Sequence, residues 1–395
     1  MIKAVLFDID TLIPQKSTLL LNKAFNSLAE AFFSDLWGIK NISKAIVDGI
    51  QAMCAPSHLD RTNAQVMLET LQQHLQLDEA SIRAGFTAFY EQAYPQLKPD
   101  IHPVTVNIAK LLNVLRNEHF ATVIVTNPIH PEAGVLQWLK WLELPNNDDM
   151  FITHADNMHF VKSIPAYYAE IIARIGIEPD EAVIVGYGAE YDNQIAPIIG
   201  VHTYCITDAS DDIPYPHRGT LDDFYRAVQD NSEFEQRQPF ALHPQMIEPQ
   251  YIGNIGALFG LVDTIKPTYW HQHPDPQEWS PVQIICHLVE SEKLVQRPRL
   301  KRILHEDNPF ITSPKAPPKP DQFACHGDGR KYAQEFMAER LKTLDWLRTL
   351  TPKDWQRPAR HSIFGKTSLL EMAHFTAQHD RLHIEQLCQT LGKCE

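Results

Sequence analysis

Lys3-Ala4-Val5-Leu6-Phe7-Asp8-Ile9-Asp10 is the stretch whose reading decides the fold. Val5, Leu6 and Phe7 form a short apolar run with β-branched and aromatic character, which suits a buried parallel strand. Asp8 and Asp10 follow it, two residues apart. At a strand's end they reach the C-terminal edge of a sheet, where open α/β folds place their ligands. Asp8 there can serve as a nucleophile or Mg²⁺ ligand, and Asp10 can protonate a leaving group and later deprotonate water. Taken alone, the Asp-x-Asp pair reads better as a β–α turn with Asp10 near a helix N-terminus.

Segments further along change that balance. Thr122-Val123-Ile124-Val125-Thr126-Asn127 repeats the buried-strand pattern and ends in a hydroxyl. Lys162-Ser163-Ile164-Pro165 opens a helical stretch, and Ala182-Val183-Ile184-Val185-Gly186 gives a third strand, followed by Tyr187 and then Asp192. In this order, over roughly the first half of the chain, the motifs resemble the haloacid dehalogenase-like (HAD) hydrolase superfamily. The resemblance implies an α/β Rossmann-like core with a helical cap, and Mg²⁺ held by Asp8, Asp10 and Asp192. It also implies hydrolysis of a small phosphorylated molecule through an aspartyl-phosphate on Asp8. Asp10 acts there as acid and base, and Thr126 and Lys162 hold the phosphoryl oxygens.

Three positions depart from that pattern. Thr11-Leu12 stands where the family has Gly-Thr, and Tyr187 stands where it has a Mg²⁺-binding Asp. A phenol with a pKa near ~10 is a poor ligand for a hard cation. A weak or absent Mg²⁺ site is therefore expected, with Asp192 retained and Glu190 as the nearest substitute. The alternative is a non-catalytic or regulatory metal-binding protein whose HAD domain is degenerate.

At 395 residues the chain exceeds one ordinary core and predicts a multidomain protein. A formal charge of −14 argues against non-specific binding to nucleic-acid phosphates or anionic lipid. No apolar run approaches the ~20 residues of a membrane span, so neither nucleic acid nor membrane is an expected partner. The six cysteines (Cys54, Cys205, Cys286, Cys325, Cys388, Cys394) show no C-x-x-C spacing. Without a secretory apolar segment at the N-terminus they read as reduced thiols of a cytoplasmic protein.

The expected HAD-like domain covers 1–228, with its core at 1–15 and 99–228. Apolar residues at helical spacing from Leu19 to Leu36 open the cap, 16–98. His102 and His130, beside prolines in loops, read as surface residues, and Trp138 and Trp141 as packing. A polar, aperiodic stretch at 229–246 reads as a linker.

From 247 to 395 the pattern is helical. Helices are expected over Met246–Ile265, Ser280–His305, Arg330–Leu350 and Ser368–Leu391. Ser280-Pro281-Val282-Gln283 and Ser368-Leu369-Leu370-Glu371 supply capping signatures. Pro309 to Gly327 carries five prolines and reads as a loop. Four helices of this length imply an all-α four-helix bundle.

His379 and His383 lie four apart and share a face of the last helix, and His287 sits on the second. Three imidazoles from facing helices can hold a divalent metal and leave one position open. With 19 histidines, however, chance pairs at this spacing are expected. Glu278-Trp279-Ser280-Pro281, Cys286-His287-Leu288, Trp355, Gly365 and the run from His374 to His383 resemble the DinB-like family. That resemblance implies His287, His379 and His383 as ligands of Zn²⁺ or Ni²⁺, with His374 off their face. It also leaves open a low-molecular-weight thiol as partner, metal-dependent thiol S-transfer, and a homodimer.

Overall fold

The computed structural model describes residues 2–12, 15–55, 58–97, 99, 105–144, 150–187, 190–207, 217–230, 240–313 and 318–394. His102 and most of the expected linker lie outside these residues. The chain divides into two compact units, 1–167 with 179–239, and 168–178 with 240–395.

In the first unit the quoted stretch becomes β1 (Ala4–Asp8), with every residue buried. The other strands are β2 (Ala121–Val125), β3 (Phe151–Ile152), β4 (Ala182–Tyr187), β5 (His202–Ile206) and β6 (Arg218–Gly219). They form one sheet in the order β3-β2-β1-β4-β5-β6, and each pairing is parallel. The apolar runs that identify the central strands exist because both faces of a parallel sheet are covered. Val5, Phe7, Ile124, Val183 and Val185 sit in one continuous core with the helix Thr105–Asn117. Strands β3 and β6, two residues each, carry too little pattern to be seen in the sequence. The order reverses at β1, so the crevice between the carboxyl ends of β1 and β4 is where ligands of such sheets bind.

The cap follows β1 as the helices Gln15–Trp37, Ile42–Met53, Asn63–Leu75 and Glu79–Ala88. Its interior is aromatic: Phe33 and Phe89 are fully buried, with Phe33 stacked on Trp37 at 4.6 Å. Asn63 ties cap to core. Its backbone N–H donates to the Met158 carbonyl at 2.8 Å, and its side-chain amide donates to the carbonyls of Pro128 (3.0 Å) and Phe160 (3.2 Å).

His130 is half-buried rather than a free surface residue. Tyr90 hydroxyl meets its Nδ1 at 3.0 Å, and it packs on the rings of Phe25 and Tyr94. A ring that follows the β2 loop is partly covered once the cap packs on it, which adjacency to proline cannot reveal. Trp138 and Trp141 are packing residues, both against the cap cluster.

The second unit contains the expected helices, as Ile247–Val262, Pro281–Ser291 continued by Arg297–His305, Gly329–Leu347 and Leu369–Cys394. Ser280 N–H donates to Gln283 Oε1 at 3.0 Å, and Glu371 N–H to Ser368 Oγ at 3.2 Å, so both capping signatures act as helix starts. Residues 168–178 group with this unit: the first bundle helix approaches so closely at Gly253 that a Cβ there would lie 2.5 Å from that of Ala169.

Two features go beyond a purely helical reading. β7 (Phe310–Ile311), β8 (Pro358–His361) and β9 (Gly365–Ser368) form a small sheet in that order. Cys286 and Cys325 are joined as a disulfide, which corrects the expectation of reduced thiols at these two positions. The pair spans 39 residues and forms because the Pro309–Gly327 segment folds back on the second helix. There Gln283 Nε2 donates to the carbonyls of Pro320 (2.8 Å) and Phe323 (2.7 Å).

Candidate active site and metal centre

The residues singled out in the first unit converge at the switch of strand order. Asp8 ends β1, wholly buried. Lys162, also buried, places its Nζ 2.8 Å from Asp8 Oδ1 and 3.2 Å from Asp192 Oδ2. The Asp10 N–H donates to Asp8 Oδ1 at 3.0 Å. The Asp10 carboxylate in turn accepts the N–H of Asn127, the residue after Thr126. Asn127 Oδ1 accepts the Lys162 N–H at 3.3 Å, which fixes the two loops to each other. Asn127 went unremarked in the sequence, although its place after the strand-end Thr was the available signal.

Thr11 replaces the small residue expected there with a cross-link. Its hydroxyl donates to the Asp8 carbonyl at 3.0 Å and accepts the Tyr187 N–H at 2.9 Å. Gly186 is needed beside it: a Cβ there would lie 3.1 Å from both Asp8 Cβ and Thr11 Oγ1.

Burial pushes the Asp8 carboxyl well up; Lys162 opposes the shift, while Asp192 and Asp10 add to it. Burial likewise raises Asp10 to about 6, against Lys162 and the Asn127 N–H. Burial by itself would lower Lys162, but Asp192, Asp8 and Asp10 outweigh it and hold the ammonium charged.

Two expected groups are placed differently. Thr126 Oγ1 donates to the Thr153 carbonyl at 2.7 Å, so its proton is committed inside the fold. The Tyr187 ring packs against the apolar core, and the side chain of Glu190 is outside the described residues. A divalent cation fits the remaining donors in part. Asp8 Oδ2 is buried without a hydrogen-bond partner among the described residues, and Asp192 is close enough to share Lys162 with Asp8. Asp8, Asp10 and Asp192 do not form a converged ligand triad. Among the described residues the group of three that meets that geometry is His287, His379 and His383.

These three offer ligand atoms within 4.8 Å of one another. His379 and His383 stand one helical turn apart on Leu369–Cys394, ring centroids 4.6 Å apart. His287, from Pro281–Ser291, is 4.6 Å from His383 and 5.5 Å from His379. Burial, with the neighbouring imidazoles, lowers His287 to about 3 and His383 to about 4. Both are thus neutral with lone pairs available. His383 Nδ1 lies 2.8 Å from Gln386 Oε1, which makes Nδ1 the protonated nitrogen and leaves Nε2 for a metal. His379 Nδ1 makes no hydrogen bond among the described residues and lies 3.6 Å from Asp380 Oδ1. Trp279 closes one side, 4.9 Å from His287. His374 is outside the cluster.

Behind the cluster lies a charge network that the sequence did not reveal. Arg340, 1 % exposed, makes paired hydrogen bonds to Asp380 at 2.9 and 2.8 Å and reaches Glu292 at 3.1 Å. Its guanidinium lies over Tyr251, 4.4 Å from the ring centre.

Residues 2–192 match the family model of the haloacid dehalogenase-like hydrolases, and residues 250–387 that of the DinB superfamily. No curated protein matches the chain. Solved structures similar to it include the L-2-haloacid dehalogenase PA0810, at 18 % identity, covering 58 % of this chain and 100 % of that one with a TM-score of 0.37. A HAD phosphatase from Thermococcus onnurineus is 20 % identical, covering 60 % and 100 %, with a TM-score of 0.34. YfiT from Bacillus subtilis, a protein with an unusual four-helix bundle topology, is 16 % identical, covering 39 % and 90 %, with a TM-score of 0.32. Among the described residues no helix is long and apolar enough to cross a membrane.

Proposed function

We propose that the HAD-like domain hydrolyses a small phosphorylated molecule through a covalent intermediate on Asp8. The observation that carries this reading is the buried Asp8 carboxylate, with one oxygen on the Lys162 ammonium at 2.8 Å. The Asp8 oxygen attacks phosphorus as the bond to the leaving oxygen breaks. Asp10, held by the Asn127 N–H and raised to about 6, gives the leaving oxygen its proton. Asp10 then takes a proton from water as that water attacks the aspartyl-phosphate, which frees phosphate and restores Asp8. Lys162 offsets charge on the phosphoryl oxygens throughout. Asp8 and Asp192 would hold Mg²⁺, which would supply further charge neutralisation at the phosphoryl oxygens. Thr126 joins them only if its hydroxyl leaves Thr153.

The bundle binds one transition-metal ion through His287, His379 and His383. Neutral imidazoles suit Zn²⁺ or Ni²⁺ better than Mg²⁺ and leave a coordination position open, which a low-molecular-weight thiol can fill. A second reading, a HAD domain that binds without turnover, is favoured by the Tyr187 ring packed against the core.

Phosphate release from a panel of small esters with Mg²⁺ tests the first reading on the full chain. Wild type should turn over, and Asp8→Asn should lose activity while its circular dichroism is unchanged. Equal rates in the two would remove Asp8 as nucleophile. Inactivity of both would favour the binding reading.

A further inference from the structure

Within the first unit a cavity of about 290 Å³ lies between the cap helices and the loop that follows β2. Its wall is largely apolar, with Phe25, Met67, Leu71 and Ile129 among the contributors. Several polar groups on that wall are already engaged. Arg83 Nε is bonded to Glu79 at 2.7 Å, Asp156 accepts the Glu132 N–H at 2.7 Å, and the Tyr90 hydroxyl meets His130. Thr87 is exposed. Burial lowers His130 to about 4, so that its ring adds no charge. Ile129, on this wall, stands two residues beyond Asn127, whose N–H holds the Asp10 carboxylate.

We propose that this cavity receives the leaving group of the substrate, and that the leaving group is an aryl or long-chain alkyl alcohol rather than a sugar or nucleoside. The inference rests on the phosphohydrolase reading of Asp8. A dry cavity of ~150 Å³ lined by aliphatic and aromatic side chains accommodates benzene. The volume here is about twice that, which suits a bicyclic aromatic or an alkyl chain of roughly eight carbons. A sugar of the same size brings several hydroxyls against a wall that is mostly apolar. Each buried hydroxyl left unpaired costs binding. A second anionic group is disfavoured by Asp156 and finds Arg83 neutralised. The two methionine thioethers at Met53 and Met67 adapt to apolar shapes of differing outline.

The test compares 1-naphthyl phosphate, octyl phosphate and glucose 6-phosphate on the full chain with Mg²⁺, together with fluorescence titration of 1-naphthol. The expected result is a kcat/KM for the first two on the order of 100-fold above that for glucose 6-phosphate. The naphthol should bind, and Met67→Gln should weaken both naphthol binding and naphthyl phosphate turnover about tenfold. Preference for glucose 6-phosphate would overturn the inference and leave the phosphohydrolase reading intact. If no ester is hydrolysed, that reading fails, and the titration decides the cavity. Naphthol binding weakened by Met67→Gln upholds an apolar site, and no binding to wild type overturns it. Should Met67→Gln not fold, Met67→Leu serves instead, with naphthol binding expected to persist and its loss counting against the site.

Discussion

Replacing Arg340 with Met should be among the most damaging single changes in the bundle. The guanidinium is 1 % exposed and answers two carboxylates, Asp380 through paired hydrogen bonds and Glu292 at 3.1 Å. Met approximates the stem volume, so packing changes little, but two buried acids lose their counter-ion. Stranding a buried charge costs about 3–5 kcal/mol. For a unit of this size that lowers the melting temperature by about 6–20 °C. Burial already pushes the Glu292 carboxyl up, with Arg340 pulling it down, so removing Arg340 raises it further. An acid whose folded pKa is raised loses stability as pH climbs from its unfolded value through the folded one. The defect should therefore shrink toward pH 5 and deepen toward pH 8. Urea unfolding of the full chain gives the loss, with hydrogen exchange of the Gly329–Leu347 peptide identifying the bundle transition. Adding Glu292→Gln and Asp380→Asn to Arg340→Met should recover more than half of it, because the stranded charges are gone. A single variant that loses less than about 1 kcal/mol, or a triple variant no more stable than the single, would refute the idea that charge pairing holds these residues.

Other outcomes are equally specific. His383→Ala should remove most of the transition metal found by elemental analysis of purified protein, whereas His374→Ala should retain it. Equal content in wild type and His383→Ala would show three histidines that hold no metal. His130 is held near 4 when folded, against about 6.5 unfolded, so its contribution is whole above pH 6.5 and falls as pH drops. Between pH 6.5 and 5 the wild type should lose about 1.5 kcal/mol more than His130→Gln in urea unfolding, and parallel curves would contradict its burial. Gly186→Ala puts a Cβ 3.1 Å from Asp8 Cβ and Thr11 Oγ1. It should cost about 1–3 kcal/mol and displace Asp8, read as lower stability and slower phosphate release; wild-type behaviour would mean that the loop yields freely.

The sequence by itself determined whatever is encoded in consecutive residues. The apolar runs ending in Asp8, Thr126 and Gly186 specify the central strands, because a strand buried on both faces needs an unbroken apolar stretch. The helical spacing of the cap and the caps at Ser280 and Ser368 fix helices through hydrogen bonds three residues long. The spacing of His379 and His383 places them on one face by helix geometry alone. Only the tertiary structure decided what distant segments do to one another. It placed Lys162 between Asp8 and Asp192, turned the Thr126 hydroxyl to Thr153, packed Tyr187 against the core, and half-buried His130 against the rings of the cap. It also paired Cys286 with Cys325 and set Arg340 between Glu292 and Asp380. Strands of two residues at β3, β6 and β7 belong with these, since they exist only through their partners. Such contacts form when loop closure has been offset by burial of the whole core, and no local pattern of residues carries that information.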